Sequence, residues 1–239
     1  MISIKKLTFA FFVFALFYVP ASGQTAAVKM PGTWAVGLVF SPDVCYRTLS
    51  SDADSKPIVD FRNQHEIPKF GFTTGASVIY GLNNRVLFES GLLFSDKGEI
   101  YKSSSKSFQD PAAPVTISRN YHYYYLDVPA KVNYYVTTRR VKLFVSAGTS
   151  TNLFLGEKLR STYEYADGRI EKKTAHNTAQ FSRVNLAALA GFGVDFELAD
   201  NLQARVEPIY RRSITSIINA PIKGYLYSAG VNFGVYYKL

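Results

Sequence analysis

Apolar and polar residues alternate with a period of two along most of this chain, and helical periodicity is scarce. The run 184–198 is the clearest case. Val184, Leu186, Ala188, Ala190, Phe192, Val194, Phe196 and Leu198 share one parity, and Asn185, Ala187, Leu189, Gly191, Gly193, Asp195 and Glu197 share the other. The final run sets Tyr225, Tyr227, Ala229, Val231, Phe233, Val235, Tyr237 and Leu239 against Ser228, Gly230, Asn232, Gly234 and Lys238. Within 202–211, Leu202, Ala204, Val206, Pro208 and Tyr210 oppose Gln203, Arg205, Glu207 and Arg211. Carried through the sequence, the pattern predicts eight strands at about 33–46, 67–82, 85–101, 120–137, 141–158, 180–198, 202–216 and 224–238. Each is long enough to cross a bilayer at a tilt, which takes about 9–11 residues, whereas soluble strands run to about 5–6.

The connections alternate in length. Asn83-Asn84, Thr138-Arg139-Arg140 and Ala199-Asp200-Asn201 make tight turns after strands 2, 4 and 6. Long segments follow strands 1, 3 and 5, at about 47–66, 102–119 and 159–179, and an intermediate one follows strand 7 at 217–223. Short turns at one end and long loops at the other predict an all-β fold, an eight-stranded antiparallel up-and-down transmembrane β-barrel. Both termini then fall at the short-turn end. Tyr165-Ala166-Asp167-Gly168-Arg169 reads as a hairpin tip, with Asp-Gly supplying positive φ, so strands 5 and 6 extend past the membrane as a ribbon.

This architecture explains charges in mid-strand. In 125–136 the even positions Leu126, Val128, Ala130, Val132, Tyr134 and Val136 are apolar, while Asp127, Lys131 and Asn133 share the odd face. A membrane barrel turns its apolar face to lipid and its polar face to the lumen. Pro129 has no N–H to give a ladder, so a local irregularity is expected there. The same parity turns Glu89, Asp127, Lys131, Lys142, Arg183, Asp195, Glu197, Arg205, Glu207, Arg211 and Lys238 inward. Acids and bases nearly balance, and eight strands enclose a lumen just wide enough for side chains. The expected site is an interior ion-pair cluster of Glu89, Asp127, Lys131, Arg205, Glu207 and Arg211 that closes the barrel. Phe70, Tyr80, Tyr134, Tyr225, Tyr227 and Tyr237 are candidates for aromatic girdles.

Composition adds the cellular setting. Lys5 and Lys6 precede an apolar run from Leu7 to Val19 that ends in Pro20 and the small residues Ala21-Ser22-Gly23. That run is too short to span about 30 Å of hydrocarbon and reads as a signal peptide over 1–23, leaving 24–239 as the barrel domain. The formal charge of +9 falls to +7 once both lysines are removed. In an exported chain that excess suits lipid headgroups, lipopolysaccharide or a solvated surface, and not nucleic acid. Cys45 is the single cysteine, so there is no disulfide framework.

Three stretches carry a resemblance: "FESGLLFSDKG" at 88–98, "YLDVPAKVNYY" at 125–135 and "AGFGVDFEL" at 190–198. Together they resemble the outer-membrane β-barrel proteins of Bacteroidota, the PorT-like or outer membrane protein beta-barrel family. There a strand ending in Lys-Gly precedes one reading Tyr-Leu-(Glu/Asp)-(Ile/Val)-Pro, and a glycine-rich sixth strand follows. The chain departs from the usual aromatic end by closing on Tyr237-Lys238-Leu239. The resemblance implies an envelope role more than an activity; one member of the group assists a secretion and gliding apparatus.

Signals for chemistry are weak. Of the three histidines, His122 has outward parity and suits a headgroup boundary, while His65 and His176 fall in loops. No metal-ligand spacing, nucleophile elbow or phosphate loop is present, and Gly191-Phe192-Gly193 reads as glycines facing a crowded lumen. "PAAP" at 111–114 is a stiff loop element, and 159–179 mixes charges of both signs as solvated faces do. The expectation is therefore a non-enzymatic monomer of the bacterial outer membrane, without cofactor, catalytic residues or bound metal. It would act structurally or through its loops on envelope proteins. A narrow porin-like channel and a lipocalin-like soluble carrier are the alternatives.

Overall fold

The computed structural model describes residues 31–104, 113–137, 141–177, 181–218 and 220–239. The expected signal peptide, the Thr138-Arg139-Arg140 turn, and Pro111 and Ala112 of "PAAP" lie outside the described residues. Among the described residues there are ten strands: β1 (Trp34–Ser50), β2 (Glu66–Gly81), β3 (Val86–Lys97), β4 (Glu99–Ser104), β5 (Thr116–Tyr135), β6 (Val141–Glu164), β7 (Ile170–Asn177), β8 (Val184–Ala199), β9 (Leu202–Ser213) and β10 (Lys223–Lys238). Eight of them close a ring, β1–β2–β3–β5–β6–β8–β9–β10 and back to β1, with every neighbour antiparallel. Closure leaves no free edge within the membrane, where an unpaired backbone group has no water to bond.

The two further strands correct the expected boundaries. The predicted strand 85–101 breaks at Gly98, whose φ is +147°, and β4 continues beyond the break against β2 and β5. The ribbon is β6 running to Glu164 and returning as β7, so the return arm is a separate strand from β8. At its tip Gly168 has φ +82° and donates its N–H to the Tyr165 carbonyl, while Asp167 Oδ1 accepts from Arg169 N. The segment after β1 is also more ordered than a loop. A 3₁₀ turn (Ala53–Ser55) leads into helix α1 (Lys56–His65), which starts with Pro57 in its first turn. At the short-turn end, Asn83 Oδ1 accepts from Arg85 N and Val86 N, both at 2.8 Å.

The outer surface is apolar between two aromatic belts. Trp34, Phe88, Tyr134 and Tyr237 stand outward near the short turns. Tyr46, Phe72, Phe94, Tyr124, Tyr210 and Tyr227 stand outward near the other end, several in ring contact at 5.7–6.3 Å between centroids. On β5 the belts are Tyr134 and Tyr124, so ten residues separate them, about 25 Å along the barrel axis at a typical strand tilt. Among the described residues no helix is long and apolar enough to cross a membrane; here strands do it.

Prolines interrupt ladders on one side only. Pairing of β3 with β5 lapses between Ser90↔Ala130 and Leu93↔Asp127, flanking Pro129, although Pro129 stays in register with Ser150 on β6. The β5–β6 bulge lies elsewhere, between Tyr124 and Tyr125, where Leu155 of β6 is the extra residue. Pro129 therefore costs ladder bonds without shifting register, and the missing N–H is its whole effect.

Candidate functional site

The lumen holds layers of side chains. At the short-turn end Val39, Ile79, Leu87, Tyr135, Phe144 and Tyr236 form an apolar floor. Glycine is required beside these rings: a Cβ on Gly193 would sit 2.5 Å from the Phe144 ring. Above the floor lies Arg205, only 2% exposed, with its guanidinium carbon 4.3 Å from the Phe144 centroid and 5.3 Å from that of Tyr236.

Arg205 joins the central network. Its Nε and Nη2 donate to the two oxygens of Asp195, both at 2.7 Å, and its Nη1 donates to Glu89 Oε2 at 2.6 Å. Lys131 Nζ lies 3.2 Å from Glu89 Oε1 and 2.7 Å from Glu207 Oε2. Neutral donors complete the carboxylates: Tyr135 Oη to Asp195, Asn133 to Glu89, and Ser146 and Asn232 to Glu207. One layer higher, Arg211 pairs with Asp43 at 2.8 Å and Lys97 with Asp127 at 2.8 Å. Near the lower rim Lys142 and Lys238 share Glu197 at 2.8 and 3.1 Å. In these layers six carboxylates face six bases, so the charges cancel within the lumen. The cavity among them has a volume of about 30 Å³, room for one or two waters.

The six residues expected as one cluster are all buried, but they divide. Glu89, Lys131, Arg205 and Glu207 are contiguous, while Asp127 and Arg211 take Lys97 and Asp43 as partners. Asp43 and Lys97 follow the inward parity of their strands, so the same pattern could have found them. Arg183 does not join: β8 begins at Val184, and Arg183 is exposed before it. Nor is His122 a free headgroup contact. It keeps its outward parity yet is buried, with Nδ1 2.8 Å from Asp96 Oδ2, and Asp96 also takes Lys69 Nζ at 2.5 Å. His65 ends α1, with Nδ1 2.8 Å from the Phe61 carbonyl oxygen, and His176 lies in β7, so neither sits in a plain loop.

Above the ion pairs the connection between β9 and β10 folds into the mouth. Ile217 is fully buried there against Tyr123, Tyr125 and Leu226, a second apolar layer. Beyond the upper belt, Arg47 holds Glu66 with two nitrogens at 2.5 and 3.2 Å and approaches Glu99 at 3.2 Å. Tyr123 Oη donates to Glu99 Oε1 at 2.7 Å. Burial pushes the Glu99 carboxyl from 4.5 up to about 7, despite the neighbouring Arg47. Over this group opens a vestibule of about 620 Å³.

Comparison with known proteins agrees with this architecture. The sequence model of the family described as "Outer membrane protein beta-barrel domain" matches residues 24–219. No curated protein matches the chain. Among solved structures, Neisserial surface protein A is 15% identical with a TM-score of 0.49, covering 86% of this chain and 97% of that one. Ail of Yersinia pestis is 15% identical with a TM-score of 0.33 (86% and 99% covered). The outer membrane protease OmpT of Escherichia coli is 9% identical with a TM-score of 0.44 (91% and 100% covered). At these identities and scores no activity passes from those proteins to this one. The match over most of its length, on a ring of eight strands with a charged lumen and a greasy exterior, places the chain in the outer membrane and in the outer membrane protein beta-barrel domain family.

Proposed function

We propose that this protein is a closed, non-enzymatic barrel that serves the cell envelope structurally or through its extracellular face. The observation that carries the reading is the cross-section at Arg205 and Lys131. Five charges in one ion-paired network fill it, an apolar layer lies on either side, and the cavity among the ion pairs measures about 30 Å³. A conducting lumen needs a continuous wet path, which a self-neutralised plug of side chains denies to solutes. Strands β4 and β7, the ribbon tip and α1 then provide the surface offered to envelope partners. Kinship with the PorT-like barrels of Bacteroidota, removal of residues 1–23 on export and a monomeric state belong to the same reading.

Planar-bilayer recordings on purified protein test it. The expected result is no steady conductance from wild type. Sustained channel currents from protein that migrates as a folded, heat-modifiable barrel would favour the narrow-porin alternative and overturn the closed lumen.

A further inference from the structure

The lining of the vestibule above the upper belt has two chemical parts. One is apolar and aromatic: Leu159 on β6, Phe181, and Ile218, Pro221 and Ile222 from the β9–β10 connection. Tyr121 and Tyr123 face it from β5, and the Tyr123 and Phe181 rings lie 5.2 Å apart. The charged part is Arg47 and Arg62, with Arg47 lying 5.9 Å from the Tyr121 ring centroid. We propose that this cavity binds one small organic carboxylate with an apolar or aromatic body, its anion on Arg62 and its body against Leu159, Phe181 and Ile218.

The two arginines differ in availability. Arg47 is 2% exposed and engaged by both Glu66 and Glu99. The Arg62 side chain is 32% exposed, and its shortest ion-pair contact runs from Nε to Glu66 Oε1 at 3.3 Å. Glu66 already has two nitrogens of Arg47, so an anion can take the terminal nitrogens of Arg62 without leaving a buried carboxylate unpaired. A guanidinium edge of this kind matches a carboxylate in a bidentate way. The facing acid is Glu157, whose carboxyl burial pushes upward, towards the neutral form that repels an anion less. A volume of about 620 Å³ sits within the roughly 300–1,000 Å³ of small-molecule sites. The bulge at Leu155 makes the pocket possible, because it reverses the parity of β6 and turns Glu157 and Leu159 inward in place of Lys158.

The inference rests on the closed-lumen reading only in that the pocket needs a floor, and conductance reports that floor separately. The test uses the full barrel in lipid nanodiscs and saturation-transfer NMR with three soluble probes. These are 4-phenylbutyrate, the neutral 4-phenylbutanol, and inorganic phosphate as an anion without a body. Saturable binding of 4-phenylbutyrate well above both comparators is expected. Arg62→Gln should weaken it about tenfold, the loss of one charged hydrogen-bond pair, and should leave the alcohol unchanged. Leu159→Glu should abolish it, and Arg169→Gln, at the exposed ribbon tip, should do nothing. Each variant is first checked for heat-modifiable migration. Equal uptake of acid and alcohol, or unchanged affinity in folded Arg62→Gln and Leu159→Glu, would overturn the proposal.

Discussion

Replacing Arg205 with methionine is the sharpest test of what holds the lumen together. Methionine keeps a flexible apolar stem between Phe144 and Tyr236 but removes three charge-assisted hydrogen bonds of 2.6–2.7 Å. Asp195 would keep only the Tyr135 hydroxyl, whereas Glu89 would keep Lys131 and Asn133. The damage therefore concentrates on Asp195. Removing one partner of a buried ion pair costs about 3–5 kcal/mol, and the lost stacking on two rings adds about 1 kcal/mol. The double change Arg205→Met with Asp195→Asn leaves an amide that Tyr135 can still satisfy, so it should recover about 2 kcal/mol. Urea unfolding in lipid vesicles measures this. Trp34 is the single tryptophan; it stands outward at the lower belt, so its emission follows the ring leaving the bilayer. A loss below about 1 kcal/mol for Arg205→Met would mean that water, not ion pairing, satisfies these carboxylates.

Other expectations follow from the same geometry. Glu99 binds its proton more tightly in the fold than in the unfolded chain, so its contribution to stability falls as pH rises from 4.5 through about 7. Glu99→Gln should remove that slope, and pH titrations of urea midpoints for both proteins would reveal an unchanged slope if the carboxyl were ordinary. Val128 faces lipid midway between Tyr124 and Tyr134, so Val128→Lys should cost about 2–4 kcal/mol by the same unfolding assay. A loss under about 0.5 kcal/mol would place that face in water instead. At Gly98 the backbone has φ +147° and a Cβ would collide with the Tyr121 carbonyl, so Gly98→Ala should cost about 1–3 kcal/mol. Intact stability there would show that the β3–β4 break can relax.

How much of this was legible in the sequence depends on whether parity survives along a strand. From Tyr125 to Tyr135 the alternation is unbroken, and the even residues face lipid while Asp127, Lys131 and Asn133 face the lumen. The period carries which face a charge occupies, but not its partner. Asp127 took Lys97 and Arg211 took Asp43 because tilt and stagger set which residues meet across the lumen, and a linear pattern contains neither. Helix α1 escaped notice because Val59 is its one buried residue; an exposed helix has no apolar stripe to read.

The upper site was hidden for a stronger reason. One extra residue, Leu155, exchanges the faces of β6 above the belt, and at a second irregularity three residues of β2, 69–71, oppose only Lys97 and Gly98 where β3 gives way to β4. Parity carried upward from the membrane would send Lys158 inward and Glu157 out, and would miss the carboxyls gathered beside Arg47. These bulges cost ladder bonds in return for side chains pointed where an unbroken strand cannot place them. Within the membrane every break would leave a polar backbone group in hydrocarbon, so there the chain keeps its rhythm except at prolines that have no donor to lose. Above the belt water satisfies such groups, and the backbone is free to become irregular. The part of the barrel that periodicity describes least is thus the part where a site selective for one ligand can be built.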